Sequence, residues 1–344
     1  MMLVQTLFYF FVVTLFTLVQ SGPVLFDRAF IKYGRHGKRQ MVYDFHHIDN
    51  KTVPTDKHLI IVKTKTMEII YTEAVRNLKN LQDLYLSNCG VQKIETKAFF
   101  NLPNLTVLHL EDNHIEEVKK GVFNGLTVTI LSLQRNEIKQ IDGEAFDDMP
   151  LLFKIKLNSN RLKSWDSGWF KNTPRLTELY FRRNKLSYLP RSAFVNVKGS
   201  HLVDGISVVD TKIFLSKNKL GELVPESFYD LERISQLYLD RNNIQVVPDG
   251  AFRDLTDVDV IYLARNKISE INGNAFPKVR NIGILDLSSN LLECLPYGLV
   301  TVANVTNLEK NNGTCDCIKE FRAKLQEEKR SCEISYSEDL CTIT

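Results

Sequence analysis

One unit of sequence recurs through most of this 344-residue chain at intervals of 23 or 24 residues. Each unit carries an asparagine, or once a cysteine, at the same place, and we call this residue the anchor. The anchors are Cys89, Asn113, Asn136, Asn160, Asn184, Asn218, Asn242, Asn266 and Asn290, and only the interval after Asn184 is longer, at 34 residues. A fixed period of this length indicates a solenoid, in which each unit packs only against its neighbours.

Apolar residues hold fixed places around the anchors. Leu108 and Leu110 lie five and three places before Asn113, and Ile115 and Val118 lie two and five places after it. Ten places after the anchor is a phenylalanine in eight units: Phe99, Phe123, Phe146, Phe170, Phe194, Phe228, Phe252 and Phe276. This is the leucine-rich repeat pattern, and a degenerate tenth copy with Lys65 at the anchor precedes the nine.

The spacing predicts an α/β leucine-rich repeat solenoid, a horseshoe with a curved parallel sheet. Each unit supplies one short strand and an irregular or helical return. The asparagine amide has both donors and an acceptor, so we expect it to satisfy backbone groups of the turn and of the next unit. Burying about seven apolar side chains contributes roughly 10–20 kcal/mol, and ordering about 24 residues costs as much or more. A lone unit should therefore not fold, and both ends of the stack need a cap.

The first residues predict a secreted chain. An apolar run from Leu7 to Val19, followed by small Ser21 and Gly22, is typical of a signal peptide over residues 1–21. The alternative is a membrane anchor, but that needs about 20 spanning residues with charged flanks, so we expect no membrane span in the mature chain. Secretion makes the N-x-S/T motifs candidates for glycosylation, namely Asn50, Asn104, Asn304 and Asn312.

The rest of the chain divides into three parts. We expect residues 22–56 to form an N-terminal cap without cysteines and residues 57–304 to hold about ten repeats, with an insertion near 198–210. Residues 305–344, which begin "VTNLEKNNGTCDC" from Val305, form a cysteine-rich C-terminal cap.

That C-terminal segment resembles the cysteine-rich flank that closes extracellular leucine-rich repeats. The resemblance implies disulfides Cys315–Cys332 and Cys317–Cys341, and a zinc site fits the spacing poorly. Two cysteines then remain, roughly 40 Å apart and unable to bond each other. Cys89 replaces asparagine in the ladder of anchors, as a buried residue. Cys294 is either an inert thiol half covered by the cap or an interchain disulfide.

Two columns of residues predict a ligand-binding site on the concave face. Side chains that alternate with the core residues of each strand must face that side. Four places before the anchor stand Tyr180, Phe214, Tyr238 and Tyr262; one place before it stand Arg183, Lys217, Arg241 and Arg265. Aromatic residues and arginines dominate protein interfaces. The alternative is that tyrosines simply suit a sheet face and that arginine before the asparagine is commonplace.

Catalytic, metal and nucleic-acid chemistry have little support. A formal net charge of +3 does not favour nucleic acid. Asp44 and His46 would share one face of a strand, with His47 opposite, which is too few ligands to specify a metal. No nucleophile–base pair, phosphate loop or carboxylate pair stands out, so we expect a protein that is not an enzyme and has no cofactor.

Two stretches resemble leucine-rich immune proteins of mosquitoes, within the secreted insect leucine-rich repeat proteins. They are "KTMEIIYTEAVRNLKNLQDLYLSNCGVQKIETKAF", from Lys65, and "YDFHHIDN", from Tyr43. The resemblance implies a haemolymph protein of innate immunity, acting in recognition or as a scaffold. It implies a protein or microbial ligand, and partners such as a complement-like thioester protein or another leucine-rich repeat chain. Without heptads, this chain would belong with the short, coil-less members. The alternative is an extracellular adhesion or guidance module.

Overall fold

A single sheet runs through the molecule, antiparallel in its N-terminal hairpin and parallel from Leu59–Lys63 onward. The computed structural model describes residues 23–34, 36–37, 39–197, 211–229, 231, 234–313, 315–327 and 333–335. Within these residues the sheet has fourteen strands. In sheet order they are Arg39–Phe45, Phe26–Tyr33, Leu59–Lys63, Asp83–Tyr85, Val107–His109, Ile130–Ser132, Lys154–Lys156, Glu178–Tyr180, Thr211–Phe214, Ile234–Tyr238, Asp257–Tyr262, Asn281–Asp286, Ala303–Asn307 and Glu333–Ser335. The predicted signal peptide, the insertion at 198–210, Cys332 and Cys341 lie outside the described residues.

The strands keep one register from unit to unit. The residue five places before each anchor pairs with its counterpart in the next strand, as Leu108 pairs with Leu84 and Leu131. All nine residues of this column are fully buried. Leu179 pairs with Ile213 across the long interval, so the extra residues leave the register of the sheet intact. The predicted leucine-rich repeat solenoid is confirmed.

The returns on the convex side contain little helix. In the part of the chain that the structure describes, four pairs of two-residue strands connect neighbouring returns: Ile69–Ile70 with Lys93–Ile94, Val75–Arg76 with Phe99–Phe100, Glu117–Val118 with Gln140–Ile141, and Val246–Val247 with Glu270–Ile271. Among the described residues, the helices are a 3-10 turn at Ser167–Phe170 and α-helices at Tyr297–Val302 and Cys315–Glu327. The horseshoe is therefore mostly sheet and turn.

A stack of phenylalanine rings fills the convex side of the core. Centroids from Phe99 to Phe170 lie 5.7–6.2 Å apart, and those from Phe194 to Phe276 lie 4.6–5.5 Å apart. Trp165 bridges the two runs, with its centroid 6.1 Å from Phe170 and 4.8 Å from Phe194. The Trp165 indole N–H donates to the carbonyl oxygen of Ala193 at 2.7 Å, so the large ring is buried without an unpaired donor.

The anchor asparagines form a hydrogen-bonded ladder. The Nδ2 atom of Asn113 donates to the carbonyl oxygens of Leu86 and Leu110, at 2.8 and 2.9 Å. Its Oδ1 atom accepts from the backbone N–H groups of Cys89 and Val91. The prediction for the turn is confirmed, but the neighbour served is the preceding unit rather than the next. The paired Nδ2 bonds recur at Asn136, Asn160, Asn184, Asn218, Asn242, Asn266 and Asn290.

The ladder of anchors begins with a cysteine, and it ends one unit later than the sequence pattern indicates. Cys89 is buried as predicted; its thiol lies 3.4 Å from the carbonyl oxygen of Val62, and burial raises its pKa to about 11. Asn311 continues the ladder beyond Asn290, with Nδ2 donating to Leu287 and Leu308 at 3.0 Å each. The stack therefore extends one unit into the segment that the sequence assigns to the cap.

The predicted disulfide at Cys317 was wrong. Cys317 is bonded to Cys294, with Cα atoms 5.8 Å apart, rather than to Cys341. The reason is the stacking of the unit anchored at Asn311, since residues after Asn311 then lie beside those after Asn290. Cys294 is consequently neither an inert thiol nor an interchain bridge in this structure. The pairing of Cys315 with Cys332 is outside the described residues.

Candidate ligand-binding face

Four aromatic rings form a continuous stack on the concave face, which we call the aromatic ladder: Tyr180, Phe214, Tyr238 and Tyr262. Successive ring centroids are 4.4, 4.7 and 4.8 Å apart, and the interplanar angles are 8–26°. The spacing follows from the sheet, because the four residues pair directly with one another in neighbouring strands. All four side chains are half-buried, so their outer edges face solvent.

Stacking decides which part of each ring a ligand can reach. Rings that lie face to face cover each other's faces and leave their hydrogen-bearing edges and phenol hydroxyls exposed. The ammonium group of Lys154 lies over the Tyr180 ring, 5.9 Å from its centroid. Apart from the outer face of Tyr262, the ladder therefore presents ring edges to a ligand rather than open ring faces.

A charged cluster adjoins the start of the ladder. Glu178 lies 2.7 Å from the ammonium of Lys154 and 3.8 Å from that of Lys212, and it accepts a 3.0 Å hydrogen bond from the Tyr180 hydroxyl. Burial alone would raise the pKa of Glu178, but the hydrogen bonds from Lys154 and Tyr180 outweigh it and lower that pKa. Burial and the bond to Glu178 raise the pKa of Tyr180 to about 12. Tyr180 is therefore a neutral hydroxyl at physiological pH.

Each predicted basic residue sits in a left-handed turn at the end of its strand. The φ angles of Arg183, Lys217, Arg241 and Arg265 are 55–58°. The backbone N–H of each donates to the carbonyl oxygen of the next unit, as Arg183 does to Ser216 at 3.0 Å. This turn follows the ladder residue by three positions and points the chain away from the sheet. The predicted aromatic and basic columns thus lie along neighbouring lines of the same four units.

A second basic column lies just beyond the anchors and was missed from the sequence. Lys185, Lys219 and Lys267 follow Asn184, Asn218 and Asn266 directly, and all three are exposed. The signal was available, because three of the four units read Arg-Asn-Lys or Lys-Asn-Lys. We call the two columns together the basic rim: Arg183, Lys185, Lys217, Lys219, Arg241, Arg265 and Lys267.

A further cluster of apolar side chains lies at the other end of the same face, also unpredicted. Phe30 pairs with Met41 in the N-terminal hairpin, and both are exposed. Nearby, Tyr85 and His109 stack with centroids 3.9 Å apart. A groove of about 710 Å³ is lined by residues that include Phe30, Ile61 and Tyr85. Ile61 and Tyr85 belong to the same column as the ladder, but Phe30 and Met41 precede the repeats.

The other predicted sites are placed as follows. The four N-x-S/T asparagines, Asn50, Asn104, Asn304 and Asn312, are all exposed, and their glycosylation stays a prediction. His47 lies near Arg76 and Asp49, and burial lowers its pKa. Within the described residues, no three His, Cys, Asp or Glu side chains come together to hold a metal. Nor do those residues include a helix long and apolar enough to cross a membrane.

The repeats match a known family. The family model for the leucine rich repeat matches residues 79–128, 103–162, 154–200 and 233–292, which is more than half of the chain. The chain belongs to the leucine-rich repeat family.

Its relatives include lumican and a probable receptor. It is 27% identical over 246 residues to lumican of Gallus gallus, covering 57% of this chain and 70% of lumican. It is 32% identical over 165 residues to a probable glycoprotein hormone G-protein coupled receptor of Anthopleura elegantissima, covering 46% of this chain but only 18% of that receptor.

Two solved structures share the fold. One is the octameric complex of Latrophilin 3, Unc5D and FLRT2, with a TM-score of 0.54 and 19% identity over 82% of this chain and 90% of the matched chain. The other is the Toll–Spatzle complex of Drosophila, with a TM-score of 0.58 and 16% identity over 69% of this chain and 35% of the matched chain.

Proposed function

We propose that this chain is a secreted binding protein of innate immunity that engages a protein or microbial ligand through the aromatic ladder and the adjoining basic residues. The observation that carries the proposal is the continuous stack of four half-buried rings on the open concave face. A rigid row of aromatic residues beside arginines has the composition of an interface hot spot. It also loses little conformational entropy on binding, because stacking already fixes the rings.

The immune role rests on the resemblance to mosquito leucine-rich immune proteins over residues 65–99 and 43–50. Under this proposal the chain circulates in haemolymph, carries glycans at the exposed asparagines, and holds a partner such as a complement-like thioester protein or another leucine-rich repeat chain. It acts by binding and not by catalysis.

The test is capture of partners from haemolymph with wild type and a ladder variant, Tyr180→Ala/Tyr238→Ala/Tyr262→Ala. The matched control is Tyr43→Ala/Tyr188→Ala/Tyr229→Ala, because these three tyrosines are exposed and lie outside the ladder. We expect the ladder variant to lose a partner that the control retains. Recovery of the same partners by all three proteins, with circular dichroism unchanged, would exclude the ladder as the binding site.

The second candidate is an extracellular adhesion or guidance module. It is favoured by the likeness to lumican and to the solved complex that contains FLRT2. Expression separates the two candidates: induction in haemocytes or fat body after infection supports the immune role, and a developmental, neuronal pattern supports the alternative.

A further inference from the structure

The basic rim carries charge that the protein itself leaves unneutralised. Salt bridges join many exposed lysines and arginines of this chain to carboxylates in neighbouring units, for example Lys139 to Glu116 at 2.7 Å and Lys278 to Asp254 at 2.8 Å. Of the seven rim residues, Arg241 alone has a salt bridge among the described residues, and it is with the preceding residue of its own unit, Asp240, at 3.8 Å. Within the part of the chain that the structure describes, the other six form no salt bridge. They stand in four consecutive units of one continuous sheet.

The rim charges are close enough to act on one another. Neighbouring strands lie about 4.8 Å apart, which is within the screening length of about 8 Å at physiological ionic strength. Partial desolvation and the nearby guanidinium groups of Arg241 and Arg183 lower the pKa of Lys217. Carboxylates adjoin this surface at Asp240, 3.8 Å from Arg241, and at Asp286, which pairs with Tyr262, but the seven rim residues outnumber them. Glu222 and Glu270 are exposed further along the returns and form no salt bridge with the rim. The rim is therefore a line of positive potential open to an anionic partner.

The aromatic ladder restricts which chemical groups that partner can place against this face. A sugar ring binds an aromatic side chain over its open face, and the faces between successive ladder rings are covered at centroid distances of 4.4–4.8 Å, which leaves the outer face of Tyr262 as the exception. The exposed ring edges are the positive side of the aromatic quadrupole, and the hydroxyls of Tyr238 and Tyr262 can donate hydrogen bonds, whereas that of Tyr180 already donates to Glu178. Edges and hydroxyls suit carboxylate and peptide carbonyl oxygens, together with apolar side chains. Acidic polysaccharides also carry carboxylates, but apolar side chains that can pack against ring edges belong to a polypeptide.

We infer that the aromatic ladder and the basic rim bind an acidic segment of a protein partner, with carboxylates on the rim and apolar side chains against the ladder. The inference rests on the proposed function and adds the chemical class of the ligand. Complementary charge across such a surface accelerates association and makes affinity fall with added salt.

The experiment measures binding of two synthetic 16-residue peptides, one of alternating Glu and Phe and one of alternating Gln and Phe, with heparin as the polysaccharide probe. The rim variant is Lys217→Asn/Arg241→Asn/Arg265→Asn; asparagine tolerates the left-handed turn that these positions require. The control is Arg135→Asn/Lys139→Gln/Arg161→Gln, which removes as many positive charges where each is paired with a carboxylate. The ladder variant described above is the fourth protein.

We expect wild type to bind the Glu/Phe peptide at least tenfold more tightly than the Gln/Phe peptide at low salt, with the difference shrinking as salt rises. The rim variant should lose about tenfold in affinity for the Glu/Phe peptide, and the control should stay within about twofold. If the Gln/Phe peptide binds equally well and depends on the ladder, the acidic partner is excluded while the proposed binding face stands. Heparin binding that is tighter and independent of the ladder also overturns the inference. So does failure of wild type to bind the Glu/Phe peptide at low salt.

Discussion

The two halves of the anchor ladder have the same interior and opposite surfaces. In the N-terminal half the residues that flank the anchors neutralise each other: Arg135 makes a bidentate contact with Asp112, one unit away, and Arg161 lies 2.8 Å from Glu137. In the C-terminal half the flanking residues are the basic rim. The buried hydrogen bonds of Asn136 and Asn242 are nevertheless the same, with Nδ2 donating to two leucine carbonyl oxygens.

Folding and recognition therefore use separate positions in this chain. The anchor and the apolar columns carry the stability of each unit, so every unit must repeat them. The flanking residues are exposed, and an exposed ion pair contributes only about 0–1 kcal/mol. Leaving the rim unpaired therefore costs the fold little, and the charge remains available to a ligand.

The largest expected effect tests whether the two interiors are equivalent. Asn136→Ala and Asn242→Ala each leave buried carbonyl and N–H groups without partners. We expect each variant to lower the free energy of unfolding by about 2–4 kcal/mol, measured by urea denaturation. The two losses should agree within about 1 kcal/mol. A much smaller loss at Asn242 would contradict a uniform ladder.

The disulfide comes next, because it distinguishes the C-terminal end from the N-terminal hairpin. We expect Cys294→Ser to destabilise the protein by about 3 kcal/mol, since the bond closes a loop of 23 residues. Thermal denaturation with and without reductant measures this, and the reductant should affect the wild type more than the variant. Mass spectrometry of non-reduced peptides gives the pairing directly. A Cys294 peptide linked to a second chain would restore the interchain alternative.

A smaller change in the free energy of unfolding is expected when one charge is removed from each of the two surfaces. Arg135→Asn removes the contact with Asp112, and we expect it to lower the free energy of unfolding by about 0.5 kcal/mol. Lys217→Asn removes a charge that has Arg241 and Arg183 near it and Asp240 as the opposing carboxylate, so the stability of this variant should be unchanged or slightly higher. Urea denaturation at low salt measures both, and 0.5 M salt should bring the variants together. Equal losses in the two halves would mean that the rim has internal partners.

The smallest effect is the pH dependence of the same two variants. The hydrogen bond from Arg135 lowers the pKa of Asp112 below 3.8. The stabilisation is therefore present above about pH 4 and is lost as pH falls through the lowered pKa, and the gap between wild type and Arg135→Asn should close there. The pKa of Lys217 lies below 10.5, so its charge opposes folding at neutral pH. That penalty should disappear as pH rises through the lowered pKa toward 10.5. Urea midpoints across this pH range provide the measurement.

The core positions could be predicted from the sequence. The contacts between neighbouring units could be predicted only in part. Fixed spacing places Leu108, Asn113 and Phe123 because each occupies the same position in every unit. The anchor Asn311 was not recognised in the sequence, because buried Thr306 stands five places before it, where the other units have leucine or isoleucine. The stacking of the unit anchored at Asn311 brings Cys317 beside Cys294 and so determines the disulfide. A disulfide depends on which segments the last turn brings together, and spacing along the chain does not determine that.

The sequence predicted which residues line the binding face, but not how their rings are oriented. The residue types and the shared positions of Tyr180 and Phe214 follow from the period. That their rings cover each other's faces depends on rotamers, which the period does not fix. The pairing of Arg135 with Asp112 was open to sequence reasoning, because the two residues occupy the same position in successive units.

The most direct test of the account is a hydrogen-exchange footprint of the protein bound to the partner that the wild type captures. The account predicts slowed exchange in the strands Glu178–Tyr180, Thr211–Phe214, Ile234–Tyr238 and Asp257–Tyr262 and in the turns that follow them. The strands Asp83–Tyr85 to Lys154–Lys156 should be unchanged. Protection confined to the N-terminal half or to the convex returns would contradict it.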